Sequence, residues 1–252
     1  MPRAERTIRV EAIILQHSDW GEADRLLRLF TREQGKLRAI AKGARKMQSR
    51  KAGHLEPFMR SNLMLAKGHD LWIVTQAEVI DPYSSLRENL ELTARAAYVI
   101  ELLDRLTYEE GQNWQLFDLV AKTLTRLVEQ ADPFVPIHYY EMRILDLTGY
   151  RPLLFECASC RKEIKAEDQF FAAEVGGVLC PNCGARAENS RMISMDALRF
   201  LRHFQRSTYN ESLKVSPASK TRAEVESILN YYLTFLLERG LNSTEFLKQI
   251  QS

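Results

Sequence analysis

The chain has little of what usually announces catalysis. It holds 11 glycines in 252 residues, and none of them falls into a P-loop or a G-x-G-x-x-G pattern, so the common phosphate-cradling loops are excluded. Its 5 histidines form no H-E-x-x-H motif, and His138-Tyr139-Tyr140-Glu141-Met142 lacks the last histidine of the reversed motif, which excludes the usual zinc-protease patterns. Glu109 and Glu110, beside Gly111 between two helical patterns, read as solvated acids. No run of about 18 apolar residues occurs, and Met1-Pro2-Arg3-Ala4-Glu5-Arg6 has no apolar h-region. A soluble, cytoplasmic protein is the expectation. No internal repeat or low-complexity tail is visible.

Cysteine is scarce too, but its placement is informative. The 4 cysteines are Cys157, Cys160, Cys180 and Cys183, two C-x-x-C pairs with none left over. Tight pairs about twenty residues apart match the spacing by which a chain wraps four thiolates around one Zn²⁺, leaving no open position for a reacting water. A disulfide pair or a redox C-x-x-C is the alternative. A redox motif would follow a strand in a βαβ unit, which is not visible, and a reducing compartment disfavours disulfides. A zinc deaminase would need H-x-E and a proline directly before a C-x-x-C. Here Glu156 and Leu179 precede the pairs, and Pro181 lies inside the second. One structural zinc per chain is therefore expected.

The formal net charge of +2 conceals an asymmetry: residues 1–80 carry 15 Lys and Arg against 9 Asp and Glu, the rest 20 against 24. The surplus is concentrated in Arg32, Lys36, Arg38, Lys42, Arg45, Lys46, Arg50 and Lys51, with Glu33 the one acid among them. Such density suits a phosphate backbone, although a solubilising loop would look similar. The segment 42–51 has no carboxylate and is expected to be mobile without a ligand.

Residues 8 to 79 read as five short strands: Arg9 to Gln16, Leu26 to Thr31, Lys36 to Ala41, Ser61 to Ala66 and Leu71 to Val79. They suggest a small, strongly bent OB-type barrel. Trp20, Phe30, Phe58 and Trp72 lie in or beside these strands and any could stack on a base. Most should be core, Phe30 above all, whereas Trp20 in a polar turn is the best exposed candidate. Gly21-Glu22-Ala23-Asp24-Arg25 could be imagined as a metal-dependent phosphoryl site. Without a third acid it reads better as a turn held by local charge pairing.

After Asp81-Pro82 the periodicity becomes helical, from Leu86 to Thr107, from Trp114 to Val128, and from Pro133 and Pro136 to Leu147. The cysteine module then interrupts, with Gln169 to Ala172 and Val178-Leu179 flanking Gly176-Gly177 as a hairpin. Helices are expected after Ser194 and from about Arg222 to Arg239. The fold class is thus α+β and multi-domain. A five-stranded OB-type β-barrel domain over 1–80 precedes an α-helical bundle over 81–252, into which a four-cysteine zinc ribbon is inserted at about 150–190.

The motif Trp20-Gly21-Glu22-Ala23-Asp24-Arg25-Leu26-Leu27, with Ile13-Ile14-Leu15, Phe30-Thr31-Arg32-Glu33, Gly35-Lys36-Leu37 and Ala41-Lys42-Gly43-Ala44-Arg45, strongly resembles the RecO family of bacterial DNA-repair proteins. The resemblance runs the length of the chain, through Gly149-Tyr150-Arg151-Pro152 into the cysteines, which many members use to hold zinc. It implies a non-enzymatic recombination mediator. Members bind single- and double-stranded DNA, anneal complementary strands, associate with RecR, and help RecA load onto strands coated by single-strand-binding protein. By that similarity Lys36, Arg38, Lys42, Arg45 and Lys46 would contact DNA, and the helical body would receive the tail of the single-strand-binding protein. It also implies association with the nucleoid. A protein-interaction scaffold with a basic docking domain, or a zinc-dependent hydrolase, are the competing readings.

Overall fold

The computed structural model describes residues 7–49, 51–107, 111–238, 243 and 250. These form two compact units, 1–129 and 130–252.

In the first unit, β1 (Thr7–Trp20), β2 (Asp24–Thr31), β3 (Gly35–Ala41), β4 (Arg60–Lys67) and β5 (Trp72–Asp81) make a closed barrel in the order β1-β2-β3-β5-β4. Closure depends on β1. Its first half pairs with β4, from Thr7 opposite Ala66 to Ile13 opposite Arg60, and its second half pairs with β2. A register shift between Ile14 and Gln16 marks a bulge at Leu15, the local bend by which one strand serves two sides of a small barrel. The parallel pairing of Ala39 and Ile40 with Trp72 and Ile73 seals the remaining edge. Alternation along the strands aims Val10, Ala12, Ile14, Leu27, Leu29 and Leu63 into the core, each at most 1 % exposed. Every such large aliphatic side chain contributes about 1.5–3 kcal/mol of burial.

Two expectations shift by a few residues. The polar turn expected to hold Trp20 falls just after it, at Gly21–Ala23, because β1 stays paired through Trp20 opposite Asp24. The helix expected from Leu86 to Thr107 is two, α1 (Ser85–Glu88) and α2 (Leu90–Leu106). Asn89 divides them: its backbone is extended and its side chain accepts the Leu92 N–H at 3.1 Å. An N-cap of this kind restarts a helix without interrupting its apolar periodicity. The next helix, α3 (Trp114–Glu129), closes the unit. Packing therefore groups α1, α2 and α3 with the barrel, which itself ends at Asp81. Gly35, at φ +71°, makes the β2–β3 turn, and a Cβ there would lie 2.3 Å from the Gly111 carbonyl oxygen.

The second unit contains α4 (Phe134–Leu147), β6 (Gln169–Ala172), β7 (Gly177–Leu179), α5 (Pro181–Gly184), β8 (Arg191–Ile193), α6 (Met195–Arg206), α7 (Tyr209–Ser212) and α8 (Ser219–Leu236). The strands form a sheet in the order β7-β6-β8, so the expected hairpin exists with a third strand on its other edge. Ser194 caps α6 by accepting the Ala197 N–H, and Thr208 with Glu211 forms a capping box on α7. Arg239 and Gly240, expected at the end of the last helix, lie outside the described residues, as do Glu109 and Glu110. Among the described residues no helix is long and apolar enough to cross a membrane.

Candidate nucleic-acid interface and metal centre

The basic residues of the barrel divide into those held by internal acceptors and those left to solvent. Lys36 is the clearest member of the first group. Its ammonium donates to the Asp104 and Thr107 carbonyls at 2.6 and 2.7 Å and meets the Asp104 carboxylate at 3.0 Å. An ammonium has three donors, so none remains for a phosphate, and the side chain is only 9 % exposed. Those carbonyls belong to the last turn of α2, where peptide oxygens lack helical partners and attract a cation. Lys36 is thus a C-terminal cap supplied from β3. Burial opposes charge on Asp104, but Lys36 and Arg28 outweigh it and hold its carboxyl below the usual range.

Arg32 pairs with Glu11 and Asp118 at 3.3 Å each. Lys51 donates to the Val74 carbonyl at 3.1 Å. Arg45 is exposed but braces the β1–β2 turn: it meets Asp19 at 3.0 Å and donates to the Gly21 and Glu22 carbonyls at 3.3 and 3.4 Å. From the other side Asp24 accepts the Gly43 N–H at 2.8 Å, and the Arg45 N–H reaches the Ala23 carbonyl. These contacts explain the Gly21 to Arg25 motif. It is a clasp between the β1–β2 turn and the basic segment, with Arg25 directed instead to Glu56 at 2.8 Å. Residues 43–49 fold as successive turns, with the Lys46 N–H on the Gly43 carbonyl and the Ser49 N–H on the Lys46 carbonyl.

Arg38, Lys42 and Lys46 are exposed, and no carboxylate partners them among the described residues. Trp20, at the end of β1 beside the clasp, is 47 % exposed, whereas Phe30 and Phe58 are buried. Arg50 lies outside the described residues. The structure therefore brings Trp20, Lys42, Arg45 and Lys46 to one clasped turn and sends Lys36 elsewhere. The residues that sequence reasoning missed are Asp104, Glu11 and Asp118, which hold the retained cations. Two of these pairings, Lys36 with Asp104 and Arg32 with Asp118, join residues far apart in the chain, so no local pattern signals them.

The four cysteine sulfurs all lie within 4.8 Å of one another. Cys160 and Cys180 are 3.8 Å apart, which equals the edge of a tetrahedron with about 2.3 Å metal–sulfur bonds, roughly 3.8 Å. All four are free thiols. Each C-x-x-C sits in a tight turn: Arg161, at φ +62°, returns its N–H to the Cys157 carbonyl, and Cys183 and Gly184 return theirs to Cys180. Gly184 is obligatory, since a Cβ there would lie 2.3 Å from the Phe170 ring. Burial opposes a Cys157 thiolate, yet the backbone N–H groups of Cys160, Cys180 and Ser159 lower its pKa to about 6. Hydrogen bonding to Cys180, then burial and the other sulfurs, pushes Cys183 up to about 12. Four adjacent sulfurs cannot all ionise alone, and a cation is what such a donor set accommodates. The residues present fit a four-coordinate metal ion.

Both parts of the chain match models of known families. The model described as "Recombination protein O N terminal" matches residues 5–83, and that described as "Recombination protein O C terminal" matches residues 87–245. Among curated relatives, DNA repair protein RecO of Roseiflexus sp. (strain RS-1) is 42% identical over 249 residues, 98% of this chain and 87% of the relative. DNA repair protein RecO of Dehalococcoides mccartyi (strain CBDB1) is 32% identical over 231 residues, 92% of this chain and 91% of its own. That of Bacillus pumilus (strain SAFR-032) is 32% identical over 246 residues, 97% and 95% of the two chains. On the strength of matches that span both the barrel and the cysteine-bearing helical part, the chain belongs to the recombination protein O family of DNA-repair proteins.

Proposed function

We propose that this protein is a non-enzymatic, DNA-binding mediator of recombinational repair, which binds single- and double-stranded DNA and anneals complementary strands. The observation that carries the reading is the set of exposed, carboxylate-free cations Arg38, Lys42 and Lys46 on an OB-type barrel. Annealing requires two phosphate-rich strands to be held together, and unpaired cations that neutralise backbone without reading bases screen their repulsion. Arg45 would add charge while holding the clasp, and Trp20 offers an aromatic face. No covalent step is required.

Residues 1–80 act as the nucleic-acid-binding domain and 81–252 as the helical domain, a division supported by the end of the last barrel strand at Asp81. Zn²⁺ held by Cys157, Cys160, Cys180 and Cys183 would supply structural cross-linking, with every ligand position filled by sulfur. RecR, single-strand-binding protein and, through them, RecA are the partners suggested by family membership, and the cytoplasm, at the nucleoid, is the setting.

The test is Lys42→Glu combined with Lys46→Glu, neither of which holds the fold. Fluorescence anisotropy should show weaker binding of single strands and duplex alike. The slope of log affinity against log salt should fall by about 0.7 for each single-strand phosphate that is no longer neutralised. Unchanged affinity and slope would refute the assignment of this surface.

A further inference from the structure

The four sulfurs of the metal centre are not equivalent. Cys157 is wholly buried, Cys180 and Cys183 are partly covered, and Cys160 is exposed. Hydrogen bonding separates them in the same sense. The Cys157 sulfur accepts the backbone N–H groups of Cys160, Cys180 and Ser159, that of Cys180 at 3.4 Å. Donors of this kind draw electron density from a thiolate and blunt its attack on an electrophile. The Cys160 sulfur instead meets another sulfur, Cys180 at 3.8 Å, on a residue open to solvent. A thiol that coordinates a metal is already deprotonated, so access and hydrogen bonding decide which of the four reacts.

The two C-x-x-C turns also differ in what holds them. The second is anchored by Gly184 against the Phe170 ring and by the Cys183 and Gly184 N–H groups on the Cys180 carbonyl, at 3.0 and 2.8 Å. The first is a turn over Ala158–Cys160, closed by the Cys157 N–H on the Lys162 carbonyl at 2.8 Å. The surrounding ribbon bears directly on two helices. Phe171 of β6 meets the Tyr232 ring of α8 edge-on at 5.4 Å, Gln205 of α6 donates to the Pro152 carbonyl at 2.9 Å, and the Arg206 guanidinium lies 3.4 Å over the Phe155 ring. A change at the sulfurs is therefore transmitted to α6 and α8.

We infer that Cys160 is a site of attack on hydroperoxides, resolved by Cys180, so that an oxidant opens the metal centre through one cysteine of each pair. The inference rests on the structural-zinc reading above and adds a reactivity to it. The Cys160 thiolate attacks one peroxide oxygen, the O–O bond breaks, and hydroxide leaves a sulfenic acid on Cys160. The Cys180 thiolate then attacks that sulfur, the S–O bond breaks, and a second hydroxide leaves as the disulfide forms. The sulfurs lose two electrons to the peroxide, and the two hydroxides take up two protons to become water. Only Cys157 and Cys183 then remain as ligands, too few for a tetrahedral ion, and Zn²⁺ is released. Thiol reductants reverse the disulfide, and added zinc restores the site.

The experiment treats the full chain, its zinc content first measured, with hydrogen peroxide and follows released zinc with a chelating dye. About one zinc per chain should be released for about one peroxide consumed. Trypsin separates the two pairs into peptides 144–161 and 166–186; after peroxide these should be joined, with fragment ions placing the bond on Cys160 and Cys180. The melting midpoint should fall with zinc loss and recover after dithiothreitol and zinc. Cys160→His offers an imidazole in place of the exposed thiolate, a substitution that tetrahedral zinc sites accept, and should keep the zinc while losing its release by peroxide. Should that variant bind no zinc, the peptide map of the unaltered chain still decides. A bond within Cys157 and Cys160, irreversible zinc loss, or peroxide consumed at the exposed Met47 with zinc retained would each overturn the inference. Zinc that is present but stays bound under peroxide leaves the structural reading standing without it. A purified chain without zinc, and with no stabilisation on adding it, removes both.

Discussion

Replacing Lys36 with methionine removes the ammonium while keeping an unbranched stem of similar reach, and so separates a structural lysine from a phosphate-binding one. The variant leaves two carbonyls at the end of α2 without their donor and removes one of the two cations on Asp104, whose oxygens both keep Arg28. Each unsatisfied group costs about 1–3 kcal/mol when fully buried. Asp104 is 24 % exposed and keeps Arg28, so water and the remaining pair reduce the total to about 2–4 kcal/mol. At about 2–4 °C per kcal/mol for a chain of this size, the midpoint should fall by about 4–16 °C in a calorimetric melt. Acid sensitivity should change with it. Asp104 has a lowered carboxyl pKa in the folded protein, so its contribution is present above the unfolded value of about 3.9 and is lost as pH falls through the folded one. Without Lys36 that loss becomes smaller. DNA affinity and salt slope, measured by anisotropy well below the midpoint, should match the unaltered protein. An unchanged midpoint together with weaker DNA binding would refute the reasoning, because it would show the ammonium released to a phosphate.

Cys157→Ala removes the buried ligand of the sulfur cluster. Elemental analysis should show zinc falling from about one per chain toward none, with a loss of several kcal/mol, since metal binding at such sites is folding free energy; an unchanged midpoint and zinc content would contradict the staple. In the second unit, His138 lies 2.6 Å from Glu141 of its own helix and 3.7 Å from Glu226 of α8. Its Phe134 neighbour is covered by Arg222, itself paired with Asp132. Burial lowers the imidazole pKa, but the two glutamates outweigh it and raise it to about 9. The stabilisation is therefore full below about pH 6.5, the unfolded value, and is lost as pH rises through the folded one. Denaturant melts between these limits should show stability declining by up to about 1.4 kcal/mol per pH unit relative to Glu141→Gln; parallel pH profiles for the two proteins would refute the pairing.

Much of the architecture is legible in the sequence because it rests on local periodicity. Strands β2 to β5 appear as short apolar runs bounded by Gly21, Gln34-Gly35, Gly43 and Lys67-Gly68. The cysteine spacing alone gathers the four sulfurs, and Ser194 announces its helix. What escapes is whatever depends on distant partners or on very short elements. β8 has three residues, two of them exposed, and so carries no alternation. The break at Asn89 is hidden because Leu86, Leu90 and Ala94 continue one helical stripe across it. The same limit applies to the basic cluster. Its charges can be counted in the sequence, but Lys36 and Lys42 look alike until Asp104 and the end of α2 are placed beside one of them.

The central claim is that exposed cations on the barrel bring complementary strands together. Strand annealing followed by fluorescence quenching, with and without single-strand-binding protein, tests it most directly when the unaltered chain is compared with Lys42→Glu and Lys46→Glu over a salt series. The account predicts that the unaltered protein accelerates annealing under both conditions, that the acceleration falls steeply with salt, and that the double variant loses it while keeping its melting midpoint. Annealing no faster than with DNA alone, or equally fast with both proteins, would contradict it.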